Sequence, residues 1–122
     1  LRQYHPEEWK TTGVQYIFNS RTQQQMPLYY QFYEDFMLHK KDYVILKKAA
    51  TLKIPYLIIH GTNDEAVNIS EGDALFEHCP TASYLKIRGA NHVFGAKHPY
   101  LEKELPSDAK FALESALSFL KN

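Results

Sequence analysis

Two short runs hold the residues able to do chemistry. Ile58-Ile59-His60-Gly61-Thr62-Asn63-Asp64 ends on a carboxylate, and Gly89-Ala90-Asn91-His92 ends on an imidazole. Asp64 and His92 are 28 residues apart, room for one helix and one strand between two neighbouring strand ends. An aspartate that accepts the Nδ1–H of a histidine fixes its tautomer and stabilises the imidazolium. A histidine held that way can take a proton from a nucleophile and hand it to a leaving group. Each residue also has a plainer reading. Asp64 sits on a Gly-Thr-Asn turn, where a carboxylate commonly bonds its own backbone. His92 can be a solvated loop histidine. The matched placement of the two raises both functional readings together. Glu65 lies one residue further from the strand and is expected to point away.

The nucleophile that such a pair would serve is missing from the 122 residues. No Gly-x-Ser-x-Gly run occurs. Ser20 falls in a polar turn, Ser70 and Ser107 read as helix caps, Ser83 opens a strand, and Ser115 and Ser118 lie on the last helix. None occupies a sharp strand-to-helix turn between glycines. The donors of an oxyanion hole are unassigned for the same reason. A metal centre is not expected. His60, His78, His92 and His98 lack ligand spacing, no His-Glu-x-x-His occurs, and His60 reads as a core histidine. Cys79 ends a helix rather than opening one and lacks the environment that lowers a thiol pKa.

The elements that must position Asp64 and His92 can be read from residue 42 onward. Asp42 is a candidate cap for a helix to Leu52, with Val44, Ile45, Ala49 and Leu52 inward. Pro55 opens a strand over 55–60, and its continuous Tyr-Leu-Ile-Ile run predicts burial on both faces, as in a parallel sheet. Ser70 with Asp73 matches a capping signature for the next helix, which stops before Pro80. A second strand spans Ser83 to Ile87. Ser107 caps a final helix with Ala109, Ala112, Leu113, Ala116, Leu117 and Leu120 facing inward.

The N-terminal third has a different texture. Nine of the seventeen aromatic residues lie within residues 1–36. Residues 13–33 read as two strands joined by a polar turn near 19–25, with Pro27 confining the second strand to an edge. The block Arg21-Thr22 with Gln25-Met26-Pro27-Leu28 is a turn and edge strand, or alternatively a lid lining an acyl pocket with aromatics.

Composition narrows the classes. Fourteen basic and fourteen acidic residues balance, which opposes a nucleic-acid-binding surface. The apolar runs are too short to span a bilayer, and the first residues do not read as a signal peptide. One cysteine excludes an internal disulfide framework and suits a reducing, cytoplasmic compartment, though a periplasmic protein can also lack disulfides.

From about Trp9 to the C-terminus the chain resembles the last part of α/β-hydrolases of the dienelactone hydrolase-like and prolyl-oligopeptidase-like kind. The resemblance rests on Asn19-Ser20-Arg21-Thr22 with Gln25-Met26-Pro27-Leu28, on Ile54-Pro55 through His60-Gly61-Thr62-Asn63-Asp64-Glu65-Ala66-Val67, and on Gly89-Ala90-Asn91-His92-Val93-Phe94-Gly95 with His98-Pro99. It implies an α/β fold, part of a three-layer α/β/α hydrolase. Residues 1–41 would be a cap-like segment with a hairpin. Residues 42–122 would hold the last two parallel strands and their helices. It implies Asp64 as the triad acid and His92 as the base, with no cofactor and no metal. The parent enzyme would hydrolyse ester or related acyl bonds of a small-molecule substrate. This chain would depend on an N-terminal half, or on self-association through an exposed strand edge, to cover its sheet. The alternative is a non-catalytic binding or scaffold module on a decayed hydrolase fold.

Overall fold

The computed structural model describes residues 6–122. They fall into two compact units that divide between Val44 and Ile45.

In the first unit, α1 (Pro6–Thr12) leads into an antiparallel hairpin of β1 (Val14–Asn19) and β2 (Gln24–Tyr29), followed by α2 (Tyr30–His39). Pro27 pairs with Tyr16 in a two-stranded ribbon, where every strand is an edge and a missing N–H is tolerated. Asn19 closes the turn, its Oδ1 accepting from the N–H of Arg21 at 3.0 Å and of Thr22 at 3.3 Å. Trp9 is fully buried and donates its indole N–H to the Leu28 carbonyl at 2.9 Å. Tyr30 and Tyr33 pack against its ring. The expected second strand therefore stops at Tyr29, and α2 begins where strand was expected to run to residue 33. A run of Tyr, Gln and Phe carries no clear period of either kind, so local pattern did not separate the two. Tyr16 and Phe18 remain exposed on the hairpin.

The second unit runs α3 (Ile45–Ala50), β3 (Tyr56–Gly61), α4 (Ile69–His78), β4 (Ala82–Ile87) and α5 (Ser107–Lys121). Helix α3 is shorter than expected. Asp42 does not cap it; its N–H bonds the His39 carbonyl at the end of α2, and Ile45 is exposed rather than inward. Strands β3 and β4 pair in parallel, from Tyr56 opposite Ala82 to Gly61 opposite Ile87. Alternating side chains give the sheet two faces. Ile59, Leu85 and Ile87 pack with Ala90, Phe94 and Ala112 of α5. On the other face, His60 and Tyr84 lie against Gly72 of α4. Helices thus cover both faces, which accounts for the continuous apolar run in β3. Among the described residues each strand has only one neighbour.

The caps differ from the expected ones. Helix α4 starts two residues early, with Asn68 as N-cap and its side chain accepting from the Ser70 N–H at 3.0 Å. Ser107 is the first residue of α5, Pro106 precedes it, and no side-chain cap forms. The inward face of α5 also corrects the expectation. Ala112 is buried, whereas Leu113, Leu117 and Leu120 are exposed. Ala112 packs with Ile87 and Ala90, and the leucines beside it on the helix stay exposed. Among the described residues no helix is long and apolar enough to cross a membrane.

Candidate active site

The carboxyl ends of β3 and β4 are level because the strands are parallel and in register, and open α/β sheets place their sites at these ends. Backbone bonds stitch the two ends together. The N–H of Thr62 donates to the Ile87 carbonyl at 3.0 Å, and that of Asn63 to the Ala90 carbonyl at 3.0 Å. The Thr62 hydroxyl accepts from the Gly89 N–H at 2.8 Å. Gly61 makes this approach possible. A Cβ there would overlap the Ala90 backbone, lying 2.6 Å from its carbonyl carbon. The loops bearing Asp64 and His92 are therefore tied to each other before any side chain is considered.

Asp64 divides its two oxygens. Oδ1 accepts the N–H of Ala66 at 2.9 Å and of Val67 at 2.8 Å, closing an Asx-type turn. Oδ2 accepts the Nδ1–H of His92 at 2.9 Å. The Asp64 side chain is only 7% exposed. The Val67 N–H holds its carboxyl below the ordinary value of 3.8, against the burial that opposes ionisation, and the His92 ring and the Ala66 N–H add to the lowering. Asp64 is thus an ionised acceptor at neutral pH.

His92 stands on a loop shaped by Asn91, whose Oδ1 accepts from Val93 N–H at 3.2 Å and Gly95 N–H at 2.9 Å. Phe94, in the left-handed region at φ 52°, turns the chain so that its ring joins the core against Ile87 and Ala112. With Nδ1 donating to a carboxylate, the neutral ring of His92 carries its free lone pair on Nε2. The side chain is 54% exposed. An open cavity of about 330 Å³ beside it is lined by Glu65, Ala66, Asn91, His92 and Val93. A smaller one of about 230 Å³ touches Asp64, His60, Val67 and Phe94 as well as His92. Glu65 is exposed, and the His92 ring turns to Asp64 instead.

The two residues singled out in the sequence are thus brought together, and the turn role of Asp64 coexists with its contact to His92. His60 is more than a core histidine. It is buried, and its Nε2 lies 3.0 Å from the Val67 carbonyl and 3.3 Å from Asp64 Oδ2. The signal that could have found it is its place four residues before Asp64, across the Gly61 turn. Cys79 is buried at the end of α4, with Sγ 3.5 Å from the Thr81 hydroxyl. Among the described residues no group of three or more His, Cys, Asp or Glu side chains is arranged to hold a metal ion.

Curated relatives share part of this chain. Alpha/beta hydrolase domain-containing protein aho-3 of Caenorhabditis elegans is 40% identical over 60 residues, which is 48% of this chain and 18% of that protein. Alpha/beta hydrolase domain-containing protein 17C of Homo sapiens is 42% identical over 48 residues, 38% of this chain and 15% of that protein. Alpha/beta hydrolase domain-containing protein 17B of Homo sapiens is 44% identical over 48 residues, covering 38% of this chain and 17% of its own length. No family model matches the chain. Over part of its length the chain is related to α/β-hydrolase domain proteins, and its helices and parallel strands are compatible with that fold. The matched stretch spans less than a fifth of each relative.

Proposed function

We propose that this chain supplies the acid and the general base of a serine hydrolase, an α/β-hydrolase of the dienelactone hydrolase-like or prolyl-oligopeptidase-like kind, acting on ester or related acyl bonds. The single observation that supports this most is the 2.9 Å bond from His92 Nδ1–H to Asp64 Oδ2 at the carboxyl ends of adjacent parallel strands. In this reading His92 Nε2 takes the proton of a serine hydroxyl contributed from outside these residues as its oxygen attacks the acyl carbonyl. His92 then passes that proton to the departing alcohol. Water repeats the sequence to release the acid. Asp64 stays ionised throughout and stabilises the imidazolium. The remainder of the hydrolase domain pairs with the free edge of β3 and covers the leucine stripe of α5, since an unpaired strand edge and an uncovered apolar stripe both favour association.

The test is labelling of the intact protein with a fluorophosphonate, together with hydrolysis of p-nitrophenyl esters. Labelling and turnover that fall to background in His92→Ala support the reading. The 122-residue chain alone is expected to hydrolyse no ester above background. An intact protein that neither labels nor turns over would instead favour a binding or scaffold module.

A further inference from the structure

Buried side chains beside a reacting pair matter when they fix the pair's geometry. His60 is one. It ends the inward-facing positions of β3 and is about nine-tenths buried. Its Nε2 lies 3.0 Å from the Val67 carbonyl. A carbonyl only accepts, so Nε2 carries a hydrogen and is the donor. The same Nε2 is 3.3 Å from Asp64 Oδ2, the oxygen that receives His92.

These contacts close a ring. The His60 Nε2–H donates to the Val67 carbonyl, the Val67 N–H donates to Asp64 Oδ1 at 2.8 Å, and Asp64 Oδ2 returns to within reach of Nε2. Both peptide groups that flank Val67 are thereby held, its carbonyl by a strand residue and its N–H by the carboxylate. The far side of the imidazole is blocked. A Cβ on Gly72 of α4 would fall 2.6 Å from His60 Nδ1, so the helix backbone lies directly against the ring and prevents it from swinging back. The ring thus has a wall behind it and two acceptors in front.

From this geometry we propose that His60 is a positioning residue for the reaction: it anchors the 64–67 turn and sets the rotation of the Asp64 carboxylate, and so aims Oδ2 at His92. This rests on the reading of Asp64 and His92 as acid and base. Without the Nε2 donor, the Val67 carbonyl loses the bond that ties the end of the turn to β3. Asp64 then rotates about its turn, and the Nδ1–H contact lengthens. A misplacement of about 1 Å can lower a rate a hundredfold.

The experiment uses the intact protein and three variants at one position. His60→Phe keeps a ring of similar size with no donor. His60→Gln places an amide N–H near the Nε2 position, and His60→Asn places it near Nδ1, out of reach of Val67. Expected are a kcat roughly tenfold to a hundredfold lower with KM unchanged in the Phe and Asn variants, and loss of the downfield proton NMR resonance of His92 Nδ1–H. The Gln variant should recover both. If His60→Phe does not fold, the contrast between Gln and Asn carries the test. Equal kcat in those two, or a folded Phe variant with unchanged kcat and resonance, overturns the proposal. His92→Ala serves as the reference. If it keeps full activity, the acid–base reading itself fails. If it abolishes activity while all three His60 variants match the parent, only the role of His60 is refuted.

Discussion

Asp64→Asn separates the two jobs of one side chain. The amide oxygen can take the place of Oδ1 and keep accepting from Ala66 and Val67, so the turn persists. The amide NH₂ then occupies the place of Oδ2, facing His92 Nδ1 across 2.9 Å. A donor cannot meet a donor, so the His92 ring must adopt the other neutral tautomer, with its hydrogen on Nε2. The lone pair needed for proton abstraction is then pointed at the amide. The carboxylate it replaces is almost entirely shielded from solvent and touches the ring directly, so the variant loses a counter-charge at contact distance, although the His92 ring itself meets water. The expected loss is about 10³- to 10⁴-fold in kcat, the scale of a wrong tautomer in a triad, with KM little changed. The assay is steady-state p-nitrophenyl ester hydrolysis by the intact protein, with circular dichroism to show that folding is retained. The variant also has a pH signature. The folded-state carboxyl of Asp64 is held below 3.8, so its contribution to stability is present above that value and is lost as pH falls through the lowered one. Asp64→Asn should flatten that part of the acid limb in urea unfolding at a series of pH values. A folded Asp64→Asn protein with parental kcat would refute the assignment of Asp64 as the orienting acid.

Other perturbations test the surrounding structure. Trp9→Ala removes a fully buried indole and its hydrogen bond to the Leu28 carbonyl, and should destabilise the first unit by about 3–5 kcal/mol, read by denaturant unfolding followed by circular dichroism. Gly72→Ala forces a methyl against His60 and Tyr84. It should cost about 1–3 kcal/mol as overpacking and lower kcat, whereas an unchanged melting temperature would show that the helix shifts freely. Tyr84 is pushed up to about 12, first by burial and then by the neighbouring Asp73 carboxylate. Its contribution to stability is present below pH 10 and is lost as pH rises toward 12. Asp73→Asn should bring the Tyr84 titration part of the way back, followed by carbon NMR of the ring, and no movement would exclude the carboxylate as a cause.

Legibility followed the strength of local pattern. The doubly apolar Tyr56–Ile59 run predicted a parallel strand covered on both sides, and α4 and α5 cover those two faces. The strand pair and the helix between them were readable because period and punctuation agreed. The cap of α4 lies two residues before the expected one, because Ser70 and Asn68 both fit a helix start and only the fold shows which side chain reaches an N–H. In helix α2 adjacent aromatics hide the 3.6-residue period. The leucines of α5 follow helical spacing but face outward, since periodicity identifies a stripe and not what covers it. The contact of His60 with Asp64 was illegible for a related reason. A buried histidine satisfied by a backbone carbonyl and one that also braces a carboxylate look the same in sequence.

A turn-forming Asp64 and a histidine-orienting Asp64 exclude each other only if a carboxylate has one use. The short aspartate side chain brings Oδ1 onto the N–H groups two and three residues ahead, and this fixes the plane of the carboxyl group. Once that plane is fixed, Oδ2 has a defined direction, and the turn becomes the device that aims it. What the turn does not supply is anything to aim at. That comes from β4, whose end is bonded to the end of β3 through Thr62 and Asn63. The informative unit in the sequence is therefore neither the Gly-Thr-Asn-Asp turn nor the Gly-Ala-Asn-His loop by itself. It is their separation by one helix and one strand, which in a parallel pair brings both turns to the same end of the sheet and leaves one oxygen and one ring nitrogen facing each other.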